Sequence, residues 1–406
     1  PDTFGSPQNA FWVGAITTVT LTGLYTVAGG LRAVLYTDLL QTIILLIGST
    51  AITYFGLLEL GGFNELRVFA SENVAQYALW RPLSDPDFPW LGILIASPIV
   101  GIWYWCTDQY IVQRTLAAKD LKTARRGALL GAFFKIWPVL IFLVPGLIGA
   151  ALNAKGILEI SIDTNGNIIG DQVFPTMVAT LLPEGLRGLV VAGIIAALMS
   201  SLSSLFNSTA TLFTLDIYKK IKPKVSEQKL VLIGRMATLV VVVFGLLWIP
   251  IMPMISKGGL YQYLQSVQGY LAPPITAVFL LGLFNSRINN KGATWGLSLG
   301  FFAGMLKLII QAFFGKEKIA NPELLAYIGD INFLYFSGIL FLFCVLLICL
   351  VSYQTELPDE NQIDGLTYQT IDKETIRESW DQKDIYATGV ILGLVLAIYL
   401  YFSFWI

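Results

Sequence analysis

Ten stretches of mostly apolar residues recur along this chain, at 10–28, 33–58, 89–112, 128–152, 185–214, 230–250, 259–284, 292–315, 331–353 and 385–405. A helix needs roughly 20 such residues to cross a bilayer. A soluble domain must keep a polar skin and could not hide so many. Composition agrees: 55% of residues are hydrophobic and 13% charged, about half the ~25% of an ordinary soluble domain. Disorder is excluded on the same ground. The predicted fold class is an all-α polytopic membrane protein with about ten transmembrane helices. The first two stretches are separated only by Ala28-Gly29-Gly30-Leu31-Arg32, which reads as a tight turn between antiparallel helices.

Basic residues orient the spans. One set of loops holds 13 of them, from Arg32 through Arg114–Arg126 and Lys219–Lys229 to Arg287 and Lys291, against 6 on the other side. The richer side is expected to be cytoplasmic, and ten spans then place both ends of the chain outside. The loop 354–384 carries nine Asp/Glu and reads as a solvated cytoplasmic connector. The chain begins at Pro1 without an initiator Met and reads as the C-terminal part of a longer protein.

The sequence holds no histidine, which removes His-based catalysis, His metal sites and Ser-His-Asp triads. Cys106, Cys344 and Cys349 all fall in apolar stretches and read as buried thiols, with no disulfide or zinc spacing. A net charge of −1 gives no reason to expect a nucleic-acid partner. Asp163-Thr164-Asn165-Gly166-Asn167 resembles the start of a calcium loop, but the sixth and twelfth positions are Ile168 and Phe174, where an EF-hand needs Gly and Glu. The segment reads as a turn in a small hairpin.

Ionisable residues within membrane spans mark ion or substrate paths by default. Here they are Asp38, Asp108, Lys135 and Lys307, of which Lys307 is expected to snorkel, as are Arg187 and Arg235 near helix ends. In the segment 200–211, Ser200, Ser204, Asn207, Ser208 and Thr211 recur at helical spacing, with Ser201 at the edge of the stripe. Two readings fit: hydroxyls bonding across closely packed helices, or a hard-cation site of hydroxyls and freed carbonyls. Ser97-Pro98 and Gly101 interrupt the third span, and a helix broken at mid-depth must line a cavity. Trp103, Tyr104, Trp105, Asp108 and Gln109 follow. Rings beside hydrogen-bonding groups suit a sugar, and an aromatic interface belt is the alternative. Lys135 precedes Pro138, and Gln262, Gln265 and Gln268 precede Pro273-Pro274. At least some of these amides must face a polar cavity.

The run from Trp103 to Arg114, reading WYWCTDQYIVQR, is similar to a stretch of the sodium/glucose cotransporters. So are Gly29-Gly30-Leu31 with Tyr36-Thr37-Asp38, Ser200-Ser201 with Phe206-Asn207-Ser208, and Tyr270-Leu271-Ala272-Pro273-Pro274. On these matches the chain resembles the sodium/solute symporter family, in its sodium/glucose cotransporter-like branch. The resemblance implies a LeuT-like inverted-repeat core. Residues 1–58 would be the last two helices of the first repeat, 89–284 the complete second repeat, and 285–406 peripheral helices. The family's first broken helix would be missing, so this chain alone should not transport. The family's Na⁺ site maps to Ala197 through its carbonyl and to Ser200 and Ser201, and a second Na⁺ site to Asp38, Ser203 and Ser204. Substrate positions map to Tyr104, Trp105, Lys135 and Gln265. Gly101 departs from the family, standing where sugar transporters often carry a hydrogen-bonding side chain.

The expected function is sodium-coupled symport of a sugar or polyol at the plasma or inner membrane, with Na⁺ as coupling ion and no organic cofactor. Rivals are symport of sialic acid, an amino acid or an organic anion, a transporter-like membrane sensor, and a channel. An intramembrane enzyme lacks any acid–base or metal constellation.

Overall fold

A computed structural model describes residues 7–162, 168–250, 260–314, 323–378 and 380–406 of the chain. Among these, nine helices are long and apolar enough to cross a membrane by length and composition: Gln41–Leu60, Trp90–Thr107, Leu121–Ala154, Glu184–Ile221, Glu227–Trp248, Tyr261–Phe284, Asn290–Gln311, Phe333–Tyr353 and Gln382–Ser403. The first expected stretch appears as a shorter apolar segment, Phe11–Val27.

The expected turn at residues 28–32 is not present. One helix runs from Pro7 to Leu60, about 80 Å at 1.5 Å per residue. The five residues contain no proline, and two helix-interior glycines cost only about 1 kcal/mol each. That is little against propagation from the long apolar runs on both sides. The helix stops at Gly61 and Gly62, whose φ of 98° and 107° suit glycine. Both of their N–H groups donate to the Leu57 carbonyl, closing the end as a C-cap.

The chain divides into two compact units, Pro1–Phe69 with Phe134–Lys257 and Ala70–Phe133 with Gly258–Ile406. In the first, the long N-terminal helix packs along the serine helix, Glu184–Leu212. Small residues set the approach: a Cβ on Gly48 would meet Val190, and one on Gly193 would meet Ile44. Further along, Val19, Phe206 and Val242 form a buried cluster. The turn residues 163–167 lie outside the described residues, but Ile162 and Ile168 beside them form an antiparallel bridge.

In the second unit the helix Asn290–Phe314 carries glycines at 292, 296, 300 and 304, one per turn along a single face. Added Cβ atoms there would collide with Ser352, Ile348, Cys344 and the Tyr270 carbonyl respectively. This strip lets Asn290–Phe314 lie directly on Phe333–Tyr353 and Leu260–Phe284, the close packing that apolar lipid cannot otherwise favour. Lys307 of the same helix does not snorkel. It is 1% exposed, its Nζ donates to the Gly329 carbonyl at 2.7 Å, and it sits 5.7 Å from the Phe336 ring centre. A carbonyl in the last turn of the helix Glu323–Asp330 is a good acceptor for a cation, which makes burial tolerable.

Two other expectations change. The loop 354–384 is tied down rather than simply solvated. Asp381 pairs with Lys122 at 3.2 Å and Arg126 at 2.9 Å, Asp384 pairs with Arg126 at 3.0 Å, and Arg125 stacks over Trp380. The Lys383 backbone N–H and the Lys122 ammonium hold the Asp381 carboxyl below the usual carboxylate range. Of the thiols, only Cys344 is buried and Cys106 is exposed, because the distorted helix at 103–107 turns it to the open side.

Candidate functional site

The break in the third span falls later than Pro98. A regular helix runs Trp90–Ile102 through Pro98, and the distortion is a π-helical segment, Trp103–Thr107. Asp108 then takes an extended conformation and caps the helix Gln109–Leu116 by accepting from the Tyr110 N–H. A single proline removes only one donor. Another helix also contacts this stretch: the Thr276 hydroxyl donates to the Ile99 carbonyl at 2.8 Å. π-helical turns recur often at functional positions.

Tyr104 and Trp105 sit within this segment. Tyr104 is half-buried, with its ring edge-on to Trp105 at 5.3 Å, and Trp105 is 47% exposed. The segment packs against the helix Leu260–Phe284, which carries Gln265. Of the three glutamines there, Gln262 donates to Asp87 at 2.9 Å. Gln265 is half-buried and its amide takes no hydrogen bond among the described residues. A Cβ built on Gly101 meets nothing within 4 Å, so that position opens onto free space.

Lys135 belongs to the first unit and is exposed. It lies three residues before Pro138, after which a second π-helical segment runs Val139–Leu143. Here too a hydroxyl from another helix meets the distorted backbone, with Thr53 donating to the Leu140 carbonyl at 3.2 Å.

The remaining expected residues lie in the first unit. The serine helix is regular through residues 197–201, so the Ala197 carbonyl is not freed by unwinding. It still has a second lone pair beyond its place in the helix ladder. Ser200 is half-buried and Ser201 exposed, while Ser203 and Ser204 are wholly buried. Ser203 donates to the Ser200 carbonyl at 3.0 Å and Ser208 to the Ser204 carbonyl at 2.7 Å. The backbone of Asp38 lies in the N-terminal helix, between one and two turns before Ile44, by the roughly 3.6-residue repeat. Ile44 itself faces Gly193.

Sequence reasoning missed Tyr25, whose hydroxyl donates to the Met199 carbonyl at 2.9 Å, between Ala197 and Ser200. Nothing near Tyr25 in sequence marks that role, and Thr53 and Thr276 were equally silent. All three are hydroxyls whose acceptors lie far away in the chain.

Apolar spans interrupted by π-helical segments, with hydroxyls and amides facing inward, define a secondary transporter more readily than a catalyst. The family model for "Sodium:solute symporter family" matches residues 9–300. Sodium/myo-inositol cotransporter 2 of Oryctolagus cuniculus is 39% identical over 381 residues, covering 88% of this chain and 56% of that protein. The Homo sapiens protein of the same name is 39% identical over 372 residues, covering 86% and 55%. Sodium/glucose cotransporter 4 of Danio rerio is 36% identical, covering 88% and 58%. The chain thus spans little more than half the length of these relatives. Its fold matches that of a Na⁺-coupled sialic acid symporter solved in a substrate-bound outward-open state, with a TM-score of 0.65, 23% identity, and coverage of 85% and 67%. The chain belongs to the sodium:solute symporter family, a family of multi-pass membrane transporters and not of enzymes.

Proposed function

We propose that the protein containing this chain is a sodium-coupled symporter that carries a sugar or polyol into the cell by alternating access. The observation that carries this reading is Gln265. It places a half-buried amide within an apolar span, and the helix that holds it packs against the aromatic break at Tyr104 and Trp105. A polyol supplies both a C–H face for Tyr104 to stack on and hydroxyls for Gln265 to bond, and the family resemblance adds Lys135 as a further substrate position. The names of the relatives, which refer to myo-inositol and glucose, point the same way.

In this reading one Na⁺ takes the Ala197 carbonyl and the Ser200 and Ser201 hydroxyls, and a second takes Asp38, Ser203 and Ser204. These are hard oxygen donors of the kind Na⁺ requires. Residues 1–58 close the first inverted repeat, 89–284 form the second, and 285–406 are peripheral. The basic loops 114–126, 219–229 and 287–291 face the cytoplasm of a plasma or inner membrane, which leaves the C-terminal end outside. The matching placement of the N-terminal end depended on a turn at 28–32 and falls with it.

Gly101 favours a second reading, in which the open space beside the break admits another small solute such as sialic acid, an amino acid or an organic anion. Uptake of radiolabelled myo-inositol by the full-length protein in proteoliposomes, challenged with glucose, galactose and sialic acid, separates the two. Na⁺-dependent uptake displaced by sugars is expected. Displacement by sialic acid alone would establish the second reading, and uptake indifferent to Na⁺ would defeat both.

A further inference from the structure

The C-terminal helix, Gln382–Ser403, is fastened at its ends and open between them. Its only described buried residue is Asp384, held by Arg126. Near the other end, the Trp80 indole N–H donates to the Ser403 hydroxyl at 2.8 Å. Close to Asp384, a groove of about 470 Å³ separates this helix from Leu121–Pro138. That volume lies in the range of roughly 300–1,000 Å³ typical of small-molecule sites. Its floor is apolar, with Leu129, Phe133, Val390 and Ile391, and its charged lining is Arg126, Lys383 and Asp384, the last already paired with Arg126.

Charge at the mouth does not balance. The charged residues lining the groove are two basic, Arg126 and Lys383, against one acidic, Asp384. Arg126 uses Nε and one Nη on Asp384 and Asp381, leaving its other Nη for a further acceptor. Lys383 is exposed, and its ammonium pairs with no described residue. An apolar trough capped by spare cationic groups matches an acyl chain below an anionic headgroup, as in basic pockets between membrane helices.

We propose that this groove is a specific site for one anionic phospholipid, whose headgroup meets Lys383 and Arg126 and whose acyl chain fills the space between the two helices. The site lies wholly within the second unit and does not depend on which solute is carried. The test is native mass spectrometry of the delipidated full-length protein offered phosphatidylglycerol or phosphatidylcholine at equal concentration. Preferential retention of phosphatidylglycerol is expected. Lys383→Gln should lower that retention about five-fold, the factor one basic residue contributes near an anionic lipid surface. Val390→Trp, which fills the trough, should lower retention of the bound lipid while leaving the melting temperature in place. Lys224→Gln, on a distant basic loop, should change nothing. Equal retention of the two lipids, or equal losses in Lys383→Gln and Lys224→Gln, would overturn the proposal. So would full displacement by inorganic phosphate with no effect of Val390→Trp, which would mark a headgroup site alone. Loss of a dimer instead of a lipid in Val390→Trp would assign the groove to a second copy of the chain.

Discussion

Two helices of this molecule are rich in small residues, but only one of them depends on glycine alone. In Asn290–Phe314 the small residues are glycines stacked one per turn, and each lets a neighbouring helix come into contact. In Glu184–Leu212 they include five serines, and the helix carries hydroxyls: Ser203 and Ser208 bond to their own helix's carbonyls, while residue Ser201 lies at the exposed surface. Small size alone therefore does not indicate a role. Missing side chains bring helices together, and short polar ones leave oxygens along the helix.

The sharpest way to break this contrast is to overfill the glycine helix. Gly304→Val places three carbons where the Tyr270 carbonyl already lies. Overpacking commonly costs about 1–3 kcal/mol, and here the obstruction is backbone, so the loss should sit at or above the top of that range. A large fall in melting temperature in detergent is the expected result. An unchanged melting curve would mean the strip is not a packing surface.

Ser201→Ala should do the reverse, leaving the melting temperature alone because the hydroxyl is exposed. Removing one oxygen ligand from a cation costs on the order of 1–3 kcal/mol, so half-maximal Na⁺ for uptake should rise about ten-fold or more. Intact Na⁺ dependence would remove Ser201 from the site. Asp38→Asn tests whether the buried pair Ser203 and Ser204 also serves an ion. Uptake sigmoidal in Na⁺ should become closer to hyperbolic, with solute affinity preserved. A Hill coefficient near one in the unaltered protein would make Asp38 structural. Thr276→Val should have the smallest effect. It removes a single hydroxyl from the Ile99 carbonyl, worth about 0.5–1.5 kcal/mol net, and should relax the break without abolishing uptake. Loss of all uptake would place Thr276 in the transport machinery itself.

Membrane spans were legible in the sequence because length and apolarity decide them locally. The broken third span was legible in kind but misplaced. Pro98 announces a disturbance, whereas the distortion at 103–108 is accompanied by a hydroxyl from Thr276, 177 residues away from Ile99. The glycine strip at 292, 296, 300 and 304 is visible as a four-residue repeat in the sequence, but only the structure shows which helices it admits. Lys307 was misjudged because its acceptor belongs to another helix. Among the site residues, Tyr104 and Gln265 showed themselves as polar groups in apolar runs. Tyr25 could be recognised only from its long-range contact with Met199.

The burial of Lys307 also bears on how the chain is made. A lysine in a membrane helix raises the apparent free energy of insertion, by up to roughly 2.5–3.5 kcal/mol at the helix centre and by less toward the end where Lys307 lies. Its partner carbonyl, Gly329, lies 22 residues further on, in the next helix, Glu323–Asp330. That span therefore cannot reach its resting state as an independent unit. The ammonium is satisfied only once Glu323–Asp330 has docked, so the settling of one segment is coupled to the folding of the other by a single group.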